Sequence, residues 1–270
     1  MGALEGQVAL VTGAARGQGR SHAVRLASAG ADIIAVDLCG PMYGVGYSSA
    51  TLDDLAETKR QVEEAGQRIL ARQADVRSLQ DMEAAVADGI SAFGHLDVVV
   101  ANAGVCTYNR MWEITPEEWQ DTIATNLTGV WNTLRCAIPP MIERGVGGSI
   151  IITSSTAGTK GLPFLGHYAA TKHGVVGLMR TLANELGEYS IRVNTVHPTS
   201  VDSPMGNDPV VERLLDRYPY MAQVFKTGHA LPVHQLAPSE VSNAVLWLAG
   251  PDSRYVTGAT IMVDAGFLGR

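Results

Sequence analysis

Tyr168 and Lys172 stand four residues apart in the stretch His167-Tyr-Ala-Ala-Thr-Lys172, a spacing that puts both on one face of a helix. A phenol is a poor acid, with an ordinary pKa of about 10. An ammonium beside it favours the phenolate and brings proton transfer toward the working pH. Just upstream, Ser149–Thr153 reads as a buried strand that ends in the hydroxyl pair Ser154–Ser155. A short glycine-broken loop can bring that pair back over the start of the helix, which is predicted from His167 to about Gly187. The set reads as a proton-transfer device in which Tyr168 moves the proton, Lys172 tunes it and Ser155 holds a substrate oxygen. Taken alone, a Tyr and a Lys at this spacing are more often an amphipathic pair, and two serines at a strand end a turn or cap. The surrounding chain decides between these readings.

The N-terminal part supplies a cofactor site. Gln7–Val11 is a short apolar strand, followed by Thr12-Gly13-Ala14-Ala15-Arg16-Gly17-Gln18-Gly19 and a helix carrying Ala23, Leu26 and Ala27. Strand, glycine-rich turn and helix make a phosphate cradle: the glycines let the backbone approach a pyrophosphate, and the helix start offers free N–H groups and positive dipole. A second buried strand, Ala31–Val36, ends on Asp37, 18 residues past Gly19. A carboxylate there accepts hydrogen bonds from ribose hydroxyls and repels a 2′-phosphate. Arg16 pulls the other way, since it can pair with that phosphate. Asp37 lies closer, and the prediction is NAD rather than NADP.

Between Leu38 and Thr51 runs a connection with three glycines, a proline and two tyrosines. A strand-to-helix link normally needs two to six residues. This one, rooted beside the adenosine site, reads as an insertion or as a flap over the cofactor, and its aromatic content favours the flap. The next helix begins near Asp53. A third strand, Arg68–Gln73, runs to Asp75 and Val76, whose carboxylate and backbone N–H can meet an adenine edge. Ser78 caps a helix through Phe93, and a fourth strand over His95–Ala101 leads into Asn102-Ala103-Gly104. Alternating strands and helices with near-continuous apolar strands imply an α/β fold, a Rossmann-type doubly wound parallel sheet in a single domain. Ligands bind such sheets at the carboxyl ends of the strands, where these motifs all fall.

Thr115-Pro116-Glu117-Glu118 starts a helix by its capping signature and N1 proline, and the helix continues past Leu134. Asn126 inside it costs some helix propensity and is read as employed, its side chain or backbone holding a water in line with Lys172. Small residues on the Tyr168 helix, among them Ala169, Gly174 and Gly177, suit either a packed core helix or an interface with a second copy. A sixth strand over Ile191–Val196 delivers His197, Pro198, Val201 and Ser203, whose backbone groups can meet a nicotinamide carboxamide. From about 200 to 235 prolines break any clean period among Leu214, Leu215, Tyr218, Met221, Val224 and Phe225, which reads as a substrate lid. Pro238–Ala249 is a helix and Thr260–Val263 a last strand.

Composition bounds the function. The 270 residues carry a formal net charge of −7, with 46% apolar and 17% charged residues. That length buries a full core, and the acidic balance argues against nucleic-acid binding. Neither a basic-then-apolar leader nor an apolar run of membrane-spanning length is seen, so a cytoplasmic protein without membrane contact is expected. Cys39, Cys106 and Cys136 fit reduced thiols, and no metal-ligand spacing occurs.

From end to end these pieces resemble the short-chain dehydrogenase/reductase family. The resemblance rests on Thr12-Gly-Ala-Ala-Arg-Gly-Gln-Gly19, Asn102-Ala-Gly104, Asn126, Ser155, Tyr168-Ala-Ala-Thr-Lys172, Pro198 and Thr257-Gly-Ala-Thr-Ile-Met-Val-Asp264. Ser155 takes the family's serine role because it lies thirteen residues before the tyrosine. The resemblance implies a seven-stranded sheet, NAD, hydride transfer between a secondary alcohol and a ketone, a catalytic set of Asn126, Ser155, Tyr168 and Lys172, ribose contacts from Tyr168 and Lys172, and a homotetramer. Two departures, Thr199 in place of the glycine usual after Pro198 and the Leu38–Thr51 insertion, resemble the mycofactocin-associated, carveol dehydrogenase-like subgroup. That likeness implies an alicyclic or terpenoid alcohol, NAD held without release, and electrons passed to an external peptide-derived redox carrier. The alternative is a non-catalytic NAD(H)-binding sensor of the same fold, which has no need of the four catalytic residues together.

Overall fold

The computed structural model describes residues 2–221 and 228–269. Seven strands form one sheet in the order β3-β2-β1-β4-β5-β6-β7, every neighbouring pair parallel. The strands are β1 Val8–Thr12, β2 Asp32–Asp37, β3 Ile69–Gln73, β4 Val98–Ala101, β5 Gly148–Thr153, β6 Ile191–Pro198 and β7 Thr260–Val263. The inner strands are buried on both faces, which is why β1 and β4 are apolar at nearly every position rather than alternating. The sheet order reverses between β1 and β4, and a cleft opens outside their carboxyl ends, the expected ligand site of an open parallel sheet.

Two apolar layers cover the sheet. One packs Leu10, Ile34, Val99 and Ile152 under α3 (Leu79–Phe93), α5 (Gly129–Arg144) and α6 (Gly166–Glu185). The other packs Ala9, Val11, Ile33 and Ile151 under α1 (Gly17–Ala27), α2 (Leu52–Glu64) and the helix Pro238–Ala249. Boundaries follow local chemistry. Ser78 accepts from the Asp81 backbone N–H at the start of α3, and Thr115 with Glu118 closes a reciprocal capping box on α4 (Pro116–Ile123).

Two expectations change. The single helix expected to run through Asn126 is α4, then a π-helical turn over Ala124–Thr128, then α5. The region expected to lack a clean period contains α7, Pro209–Arg217, because Asp208 caps it through the Val210 N–H and Pro209 sits at its first position, a starter rather than an interruption. With α7 counted, Pro238–Ala249 is α8. Val224 and Phe225 of the expected lid lie outside the described residues.

His22 sits fully buried where α1 meets α8, its Nδ1 2.8 Å from Ser242 Oγ. Burial pushes its pKa down to about 3. An unfolded histidine titrates near 6.5, so the unfolded chain takes up the proton first. The stability contributed by neutral His22 is complete above about pH 6.5 and is lost as pH falls toward 3. Urea midpoints should therefore drop across that window. His22→Asn should flatten the drop by up to ~1.4 kcal/mol per pH unit, and equal slopes in the two proteins would contradict a neutral buried imidazole.

Candidate active site

A cleft runs along the strand ends. Its floor is the β1–α1 turn, where Gly13, Arg16, Gly17, Gln18 and Gly19 all line it. Gly13 has φ +67°, and a Cβ there would lie 2.8 Å from Ala103 Cα, so only glycine lets the turn meet the end of β4. Asn102 and Ala103 donate their backbone N–H groups to Thr12 Oγ1, both at 3.1 Å, and Asn102 Nδ2 donates to Thr12 O at 3.0 Å. These bonds fix the two strand ends against each other. At the start of α1, Arg16 makes no side-chain cap and the first turn holds no acid, so its N–H groups stay open toward the cleft.

Asp37, Leu38, Asp75, Val76, Asn102, Ala103, Gly104 and Ser203 also line the cleft. Asp37 is buried and braces the turn: its Oδ2 accepts from Ala15 N–H at 2.9 Å and its Oδ1 from Cys39 N–H at 3.0 Å. Asp75 is held by Arg77, which also reaches Asp121. Gln18 Oε1 and Thr125 Oγ1, both on residues of this cleft, are buried without partners. Open helix N–H groups, a turn that a Cβ would fill, a strand-end carboxyl and orphaned acceptors fit a dinucleotide. Pro198 and Val201 are not in the lining; Pro198 ends β6 beside Val263, and Val201 is buried with its carbonyl accepting from Ser203 Oγ at 3.2 Å.

Asn126, Ser155, Tyr168 and Lys172 are not in the lining either; Lys172 and Asn126 lie directly behind Gly104, which is. A Cβ on Gly104 would stand 3.6 Å from Lys172 Nζ and 3.3 Å from Asn126 Oδ1. Lys172 is 3% exposed; its Nζ donates to Thr153 O at 2.7 Å and lies 5.5 Å from the Tyr168 ring centroid. Burial pulls the ammonium down to about 8. Ser155 Oγ accepts from Ala157 N–H at 3.1 Å. The expected depression of Tyr168 by Lys172 is absent. Burial pushes the phenol above its ordinary value, the Cys106 thiol adds to that, the Ser155 hydroxyl opposes it, and Tyr47 adds again. Desolvation outweighs a lysine whose own bond goes to a backbone carbonyl.

Asn126 also departs from one of its two expected uses. Its Oδ1 accepts from Val105 N–H and its Nδ2 donates to Val105 O, both at 2.8 Å, so its side chain is committed to the segment that follows β4. The backbone alternative stands, and the π turn that carries Asn126 is the type of distortion that accumulates at functional sites.

Several contacts in this site carried no sequence signal. The 38–51 loop lies across the cleft, and Met42, Val45, Tyr47, Ser49 and Ala50 line it. Tyr47 OH accepts from Cys106 N–H at 3.3 Å, deep beside Tyr168. Arg16, weighed as a phosphate reader, spends its guanidinium on the loop: Nη1 donates to Ser48 Oγ at 3.1 Å and Nη2 to the Ser48 carbonyl. A Cβ on Gly46 would stand 2.4 Å from Asp208 Oδ1, so the loop also presses on the start of α7. His197 is wholly buried, with Nδ1 2.8 Å from Ser155 O and Nε2 2.8 Å from Thr195 Oγ1. Thr199, in the place where glycine was expected, gives its hydroxyl to His229 Nε2 at 2.9 Å, a tether to the segment beyond α7.

The doubly wound sheet with this cleft defines a dinucleotide-binding α/β protein. Residues 13–268 match the family model described as enoyl-(acyl carrier protein) reductase. An uncharacterized NAD-dependent oxidoreductase of Mycobacterium tuberculosis is 51% identical over 268 residues, covering 99% of this chain and 98% of the relative. A (-)-trans-carveol dehydrogenase of Rhodococcus erythropolis is 45% identical over 273 residues, covering 98% of this chain and 99% of the relative. The crystal structure of carveol dehydrogenase from Mycobacterium avium in complex with NAD superposes with a TM-score of 0.94 at 47% identity, with both chains covered to 100%. The chain belongs to the short-chain dehydrogenase/reductase family.

Arg16 is the clamp most open to test. Arg16→Ala removes two charge-assisted bonds from the loop, and backbone amides over 44–50 should exchange with solvent about tenfold faster or more. Unchanged exchange would show that the loop is held without Arg16.

Proposed function

We propose that this protein is an NAD-dependent oxidoreductase that interconverts a secondary alcohol, alicyclic or terpenoid, and its ketone by hydride transfer. The observation that carries the reading is the grouping of Tyr168, Lys172 and Ser155, with Lys172 directly behind Gly104 of the cleft that the glycine turn floors. The names of its relatives, an NAD-dependent oxidoreductase and a carveol dehydrogenase, support it. The glycine turn and the start of α1 hold the pyrophosphate, and Asp37 takes the adenosine ribose. Asp75 and Val76 border the adenine, and Ser203 meets the carboxamide, with Val201 beside it accepting from Ser203 Oγ and Pro198 at the end of β6. When bound, the oxidised dinucleotide supplies a hydride acceptor and a positively charged ring.

The side chains then divide the proton work. Ser155 donates to the substrate oxygen and keeps it within reach of Tyr168. Tyr168 as phenolate takes the hydroxyl proton, Lys172 binds ribose hydroxyls and holds positive charge near the phenol, and the Asn126 backbone orders a relay water. His197 is a positioning residue, because it grips the Ser155 carbonyl. Burial lowers its pKa to about 4, so it stays neutral in that role. The 38–51 loop is read as a flap that keeps NAD from leaving, with an external redox carrier collecting the electrons. A homotetramer in the cytoplasm completes the reading; among the described residues no helix is long and apolar enough to cross a membrane.

Tyr168→Phe should keep NAD binding and lower turnover by about 10²–10⁴. Near-normal turnover would refute the assignment of Tyr168. Chasing protein loaded with labelled NAD with excess unlabelled NAD should leave the label bound for minutes or longer; complete exchange within seconds would rule out the flap as a retainer.

A further inference from the structure

The segment that follows β4 passes Cys106, whose thiol lies near Tyr168 and Lys172, and reaches Arg110 four residues later. The Arg110 guanidinium carbon lies 4.0 Å from the Tyr218 ring centroid and 5.3 Å from that of Trp112. Tyr218 closes α7 and packs on Phe164, with centroids 5.6 Å apart. Phe164 stands four residues before Tyr168, and its carbonyl accepts from Asn109 N–H at 3.0 Å. Three segments that flank the reacting centre therefore converge on one half-buried arginine.

Arg77 and Arg144 each face a carboxylate, whereas among the described residues none pairs with Arg110. Its Nε is enclosed without a partner. Leaving a guanidinium donor buried and unpaired is costly unless a ligand completes it. Aromatic faces hold the plane of the group while its edge keeps the forked donors that match a carboxylate.

We propose that Arg110 receives a carboxylate of the substrate, so that the alcohol oxidised here is an alicyclic hydroxy acid. The proposal rests on the oxidoreductase reading above and narrows it. The secondary alcohol becomes a ketone, its hydride goes to NAD and its hydroxyl proton to Tyr168, and the carboxylate passes through unchanged. Its role is to orient the ring, which makes Arg110 a specificity residue.

The test compares trans-4-hydroxycyclohexanecarboxylate with the neutral trans-4-methylcyclohexanol, using purified protein, NAD and an artificial electron acceptor. The wild type should favour the acid in kcat/KM by about tenfold or more, and added salt should narrow the gap. Arg110→Gln should abolish the preference through the KM of the acid and leave the neutral alcohol within about twofold, and Arg110→Lys should recover part of it. Equal losses for both alcohols would make Arg110 only a latch for Tyr218 and overturn the proposal. Turnover of the neutral alcohol with no preference for the acid would overturn it and spare the oxidoreductase reading. Oxidation of neither alcohol would overturn both.

Discussion

The burial of one amine governs the inner end of this cleft. Lys172 is 3% exposed, and among the described residues its Nζ bonds to the carbonyl at the end of β5 alone. A buried ammonium with a single neutral partner is held at a cost in desolvation, which is why its pKa falls to about 8. The surroundings fix it in place. Ser154 Oγ donates to the Lys172 carbonyl at 3.0 Å, Asn126 secures Val105, and α4 and the π turn pack against α6. A charge kept partly unsatisfied in this way is available to a ligand, and the ribose hydroxyls of a dinucleotide are suitable acceptors.

The second constraint is closure. The 38–51 loop is fixed by Arg16 at one side, by Tyr47 reaching Cys106 at depth, and by Gly46 against Asp208. Each anchor belongs to a different part of the site: the phosphate turn, the segment after β4, and α7. Closing the loop thus encloses the phenol as well as the cofactor channel. Burial raises both Tyr47 and Tyr168 above the ordinary tyrosine value, so the enclosure that protects the chemistry also opposes ionisation of the phenol. Positive charge has to be brought in to offset it.

What was legible in the sequence was local or periodic. The glycine turn, the strand ends Asp37, Asp75 and Asn102, the capping box at Thr115 and the four-residue spacing of Tyr168 and Lys172 depend on neighbours a few residues apart. The sheet followed because the inner strands β1, β2, β4 and β5 are short and largely apolar and each is followed by a helix or turn signal. What was not legible depends on where a chain goes after a bend. Nothing around Tyr47 says that it reaches Cys106, 59 residues on. Arg16 looks the same whether it meets a phosphate or Ser48. Asn126 stood out inside an apparently continuous helix without revealing the π turn that carries it, and α7 was hidden because its starting proline resembles a breaker. The strength of Lys172 on Tyr168 was overestimated, since spacing on a helix says nothing about desolvation.

The central claim is that Tyr168 becomes acidic enough to trade protons once the cleft is filled. Difference titration of phenolate absorbance, wild type against Tyr168→Phe, with and without saturating oxidised NAD, measures this directly. The account predicts one tyrosine that ionises below the ordinary value of about 10 in the NAD-loaded wild type and is missing from the variant. Identical titrations of loaded wild type and variant, with no tyrosine ionising early, would contradict it.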